Sequence, residues 1–94
     1  MNIVKFGETF NITETKETYK ISGDLIKTVQ GDIIINVSTA DLEGNFIATM
    51  SGDYLVSENV FNFNFRTSID KKDEQLEIIK LITDAIEIIL NDEV

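Results

Sequence analysis

The period of the apolar side chains changes once along this chain. As far as residue 68 they recur at every second position, and from Asp70 to about Asn91 they recur at every third or fourth. A period of two places alternate residues on one face of a strand, whereas 3.6 places them on one face of a helix. With every strand ahead of the only helix, the pattern argues against βαβ units. The expected fold is α+β: an antiparallel β-meander of four to five strands followed by one long C-terminal helix packed on one face. A length of 94 residues suits a single domain, 1–94, with one core.

The strands are expected at about 2–14, 17–29, 32–40, 45–56 and 59–68. In the first, Val4, Phe6, Phe10 and Ile12 share the even positions, with Gly7 marking a bulge or bend. Tyr19, Ile21, Gly23, Leu25 and Val29 continue the alternation, and Gln30-Gly31 signals a turn. The run DIIINVSTA places Ile33, Ile35, Val37 and Thr39 on one face. DLEGN then supplies a hairpin connection, because Gly44 and Asn45 suit positive φ, and Phe46, Ala48, Met50, Gly52 and Tyr54 follow on one face.

VFNFNFRTS, residues 60–68, has three phenylalanines at alternate positions and the chain's single arginine, Arg66. Stacking platforms for nucleic-acid bases use such spacing, but in a basic groove. Here the neighbours are Glu58, Asp70 and Asp73, so Phe61, Phe63 and Phe65 are assigned to packing beneath the helix, with Asn62, Asn64 and Arg66 outward. Asp70 is a candidate helix cap, and Asp73 and Glu74 suit the positive end of the dipole. The apolar residues of the helix span an arc of roughly 200°, against the ~100° stripe of a helix with one neighbour. Together with Ile26, Ile34, Ile47 and Val60 on the face away from the core, this surplus predicts a homo-oligomer, dimer or higher. The candidate interface residues are Ile26, Ile34, Ile47, Arg66, Leu81 and Ile88.

The chain has no His and no Cys, which removes the Ser-His-Asp and Cys-His nucleophile systems and the common zinc ligand sets. Asp41, Glu43 and Asn45 have the spacing that opens a calcium loop. Gly44 falls at the fourth place and Gly52 stands where the closing glutamate belongs, so a β-turn is the better account. Three Gly-Asp pairs, at 23, 31 and 52, lack the Lys and Ser or Thr of a phosphate loop and read as bends. No catalytic residue, metal site or cofactor is expected. The weaker enzymatic reading has to work through Asp41, Asp53 or Tyr54.

Seventeen acidic against eight basic residues give a formal charge of -9. Such a field repels phosphate backbones, so no direct nucleic-acid partner is expected. Lys5 and Glu8 interrupt any secretory leader, and Glu77, Lys80, Asp84 and Glu87 interrupt the most apolar run. The expectation is therefore a cytoplasmic protein with no membrane partner.

Residues 17–56, ETYKISGDLIKTVQGDIIINVSTADLEGNFIATMSGDYLV, resemble the sheet of the SecB-like export chaperones. The likeness lies in the meander and in a fourth strand carrying Phe46, Met50, Gly52 and Tyr54. It implies an acidic cytoplasmic oligomer that holds polypeptides in apolar grooves. After Val56 the chain departs from that pattern, with a further strand, no proline at the helix entry and no second helix. The function expected is a small, acidic, non-enzymatic protein-interaction module that self-associates and holds an unidentified polypeptide partner in a chaperone-like way. The alternative is an inhibitor of phage or mobile-element type that mimics nucleic-acid charge towards a nucleic-acid-binding enzyme.

Overall fold

The computed structural model describes residues 1–67 and 69–91. Six strands, β1 (Asn2–Phe6), β2 (Thr9–Thr15), β3 (Tyr19–Lys27), β4 (Ile33–Asp41), β5 (Phe46–Leu55) and β6 (Val60–Thr67), form one sheet. Each is antiparallel to the next, so spatial order follows chain order. A 3-10 turn, Ile69–Lys71, leads into α1, Lys72–Leu90, the one α-helix among the described residues. The α+β meander with its C-terminal helix is thus the fold, with one strand more than expected. The last residue of the expected fifth strand, Ser68, lies outside the described residues.

The extra strand comes from Gly7. Positive φ at Gly7 (61°) lets Gly7-Glu8 form a two-residue turn that closes on the Phe6–Thr9 pair, and the segment expected as one strand folds back on itself. Opposite residues share a face, so Ile3 and Lys5 join Phe10 and Ile12 on the core side. Val4 and Phe6, expected in the core, point to the other side and are 48% and 66% exposed. Val29 also leaves the core. Strand β3 ends at Lys27, and the turn beyond it is tied by the Thr28 N–H to the Asp32 carbonyl (2.7 Å) and the Gly31 N–H to the Thr28 carbonyl (2.9 Å).

The core lies between one sheet face and the helix. Phe10, Ile12, Tyr19, Ile21, Leu25, Ile33, Ile35, Val37 and Met50 meet Ile78, Ile82, Ala85, Ile86 and Ile89, all buried. Each such Ile, Leu or Phe contributes roughly 1.5–3 kcal/mol relative to exposure. The Tyr19 hydroxyl donates to Glu77 Oε2, which satisfies the buried phenol and fixes the helix over the start of β3. Asp70 does not take the capping position expected of it. It lies in the 3-10 turn, and Lys71 stands at the N-cap with no side-chain cap bond.

Two strand pairs approach too closely for a side chain between them. A Cβ on Gly23 would lie 2.3 Å from the Asn36 oxygen, and one on Gly52 would lie 2.0 Å from the Asn62 oxygen and 2.8 Å from the Phe63 Cα. Glycine at these positions lets the sheet bend. The Gly52 contact lies at the centre of β6, opposite Phe63.

Candidate interaction surface

The register sorts the predicted interface residues. Ile26 and Ile34 are directly opposite each other on the outer face, 40% and 47% exposed. Phe6 reaches the same row through Thr9, the residue opposite both Phe6 and Ile26. The row stops at Asp53, which is opposite Ile34 and accepts a hydrogen bond from Asn62 Nδ2 at 3.0 Å. Beside that row the face is polar from β2 to β5, with Asn11, Ser22, Asn36, Ser38, Thr49 and Ser51 on successive strands and Asn11 Nδ2 donating to Asp24 Oδ1 at 3.1 Å, while Val4 stands opposite Asn11 on β1. This is the pattern of a solvated antiparallel face with an apolar patch at one end.

Ile47 does not belong to that face. The register shifts between Thr39 and Ala40: Thr39 is opposite Ala48 while Ala40 is opposite Phe46. The unpaired Ile47 turns inward beside Ala48, leaving it 6% exposed. Phe46, expected in the core, is displaced outward to 57% exposure, and Arg66 lies over its ring at 5.8 Å from the centroid. Leu81 is buried and Ile88 half-buried. Leu81 lies along the helix flank near β1 and β2, in a cleft shared with Met1, Glu14, Lys16, Lys80 and Asp84. The fold therefore brings Ile26 and Ile34 together but keeps Arg66, Leu81 and Ile88 apart from them.

The apolar surplus of the helix collects on the other flank, beside β6. Thr83, Ile86 and Leu90 form a cleft of about 280 Å³ with Tyr54, Asn59 and Phe61. Leu76 and Ile79 extend the same row by steps of three and four, and Leu76 is 69% exposed. Across the cleft, Phe61 and Phe65 are half-buried against the core, and Phe63 remains 43% exposed. The Phe61 and Phe63 rings meet edge to face, with centroids 5.1 Å apart. The expectation that all three rings pack beneath the helix thus holds for Phe61 and Phe65 and is corrected at Phe63. Lacking a side chain, Gly52 opposite Phe63 offers that ring nothing to pack on.

The sheet ends differ as well. On β1, Lys5 projects to the core side with its Nζ 5.5 Å from the Phe10 ring centroid, an inward charge that discourages further strand pairing. From Val60 to Phe65, β6 carries no charge and no proline, and among the described residues β5 is its one ladder partner. The sequence signals for this margin were Phe63, Leu76, Ile79 and Leu90, and only the three-dimensional arrangement joins them.

The candidates for acid-base chemistry are dispersed. Asp41 stands opposite Tyr19 at one end of β4, and Tyr54 stands opposite Ile33 at the other. Asp53 points to the outer face and Tyr54 to the core side, its hydroxyl donating to Asn59 Oδ1. The Asp41 carboxylate is occupied within its own turn: it accepts the N–H groups of Asn45 (2.8 Å) and Glu43 (2.9 Å) and the Asn45 side-chain amide (3.1 Å). These bonds, the Asn45 backbone N–H foremost, hold its pKa below the ordinary carboxylate value. Among the described residues no three His, Cys, Asp or Glu side chains gather as a metal-ion site, and no helix is long and apolar enough to cross a membrane. Compared with protein-family models, curated proteins and solved structures, the chain matches none of them.

Proposed function

We propose that this chain is a non-enzymatic protein-interaction module that self-associates and offers apolar surface to a polypeptide partner. The observation that carries the reading is the margin formed by β6 and the helix, where Phe63, Leu76 and Leu90 stay exposed beside a core that is otherwise closed. Exposed apolar side chains gathered in one place mark contact surfaces. The likeness of residues 17–56 to the SecB-like sheet adds the class of partner, a non-native polypeptide held in an apolar groove. Charge mimicry has less support, because the acids are spread over turns and helix with lysines among them, and Glu14 and Asp84 are ion-paired, Asp84 with Lys80 at 3.0 Å.

Sedimentation equilibrium of the full chain from micromolar to millimolar concentration tests the reading. A dimer or larger species is expected. A strict monomer over the whole range contradicts self-association.

A further inference from the structure

The geometry points to β6 pairing with β6 of a second copy, antiparallel, about a two-fold axis at Phe63, so that two sheets join into one. The inference rests on the self-association reading and names its surface. Its first support is the contrast between the two ends of the sheet. An inward Lys5 guards β1, while β6 has an unguarded ladder edge and an exposed ring at its centre.

The second support is the symmetry of the strand. FNFNF, residues 61–65, reads the same in both directions about Phe63. Placed antiparallel with Phe63 opposite itself, Phe61 falls opposite Phe65 and Asn62 opposite Asn64. Because opposite residues share a face, every ring lies on the helix side of the joined sheet and every amide on the outer side. The two helices then lie on the same face, and the rows containing Leu76, Ile79 and Leu90 approach each other across the axis. Phe63, half-open in one copy, is covered by its own counterpart.

The symmetry of the strand identifies the occupant as this chain, and the one cation of the strand is placed accordingly. Glu58 lies in the turn before β6 and Arg66 near the strand's end. An antiparallel partner brings each Arg66 opposite the other copy's Val60, at the end of the strand next to the turn that carries Glu58. The contact is isologous and uses each β6 once, and the remaining ends are the guarded β1 strands. Assembly therefore stops at two copies.

Sedimentation of three forms of the full chain separates this surface from others. Wild type and Ile34→Lys, altered on the outer face, are expected to be dimers. Phe63→Lys, which gives β6 the inward lysine that β1 has, is expected to be a folded monomer at concentrations where wild type is dimeric. Phe63→Cys adds a second measurement, read by covalent trapping of the pair. The chain has no other cysteine, and residues directly opposite have Cβ atoms near the distance a disulfide spans. Mild oxidation should yield a covalent dimer for Phe63→Cys and none for Ile34→Cys. A Phe63→Lys form as dimeric as wild type, or cross-linking through position 34 and not 63, overturns the β6 assignment while self-association stands. A monomeric wild type overturns both. Protection of β6 only on addition of an unrelated unfolded polypeptide assigns the edge to a client strand and overturns the second copy as its occupant.

Discussion

Phe46 and Ile47 are neighbours of similar apolarity, yet one lies 57% exposed and the other 6%. The Asp41 turn decides between them. Its carboxylate holds the N–H groups of Glu43 and Asn45 and so fixes where β5 begins, which leaves one residue too many before the Thr39–Ala48 pair. The surplus residue, Ile47, turns inward. Ile47→Ala is therefore expected to cost about 2–4 kcal/mol, against less than about 1 kcal/mol for Phe46→Ala at its exposed position, as read by urea denaturation. Equal losses would contradict the shifted register. The same turn predicts a titration. A carboxyl whose folded pKa is depressed contributes stability above its unfolded value, about 3.9 for Asp. That contribution is lost as pH falls through the lower folded value. Carboxyl NMR should place the Asp41 midpoint below that of an unfolded-peptide aspartate, and a midpoint at or above it contradicts the hydrogen-bonded turn.

At the scale of elements, the change of period from two to 3.6 near residue 68 carried the fold class, and the strands 19–27, 33–41, 46–55 and 60–67 lie close to where alternation puts them. The first hairpin was hidden for a geometrical reason. In a two-residue hairpin the paired residue numbers have an odd sum, as in Phe6 with Thr9, so even positions before the turn share a face with odd positions after it. The sequence keeps Val4, Phe6, Phe10 and Ile12 in phase straight through, while in space the two pairs lie on opposite faces. Gly7 was the available signal, since a two-residue turn whose first central residue has positive φ calls for glycine. Gly7→Val should lose about 1–2 kcal/mol through the left-handed backbone it must keep, and urea denaturation that leaves stability unchanged would argue against the turn. The helix shows the complementary case. Its wide apolar arc was legible from residues 78–90, but which flank the sheet leaves open depends on the placement of Phe61 and Tyr54 beside Thr83 and Leu90.

At the scale of the whole molecule, one helix covers one face of a six-stranded sheet and leaves a margin of rings and leucines beside an unguarded edge. Of the candidate residues chosen from the sequence, Ile26 and Ile34 lie on the outer face, Ile47 turns inward, Leu81 and Ile88 lie on the helix and Arg66 alone is on β6, because alternation reports the face of a side chain and is silent on which strand ends the sheet. Strand order settles that, and it places the symmetric FNFNF run at the edge. Association through this strand gives its outward backbone N–H groups partners they lack in one copy, which slows their exchange with solvent. The most direct measurement is amide hydrogen exchange of Val60–Thr67 at low and at high protein concentration. The β6 pairing predicts that alternate amides in this strand become markedly more protected as concentration rises, while those of β1 do not change. Exchange in β6 that is independent of concentration, or new protection confined to β1, would contradict it.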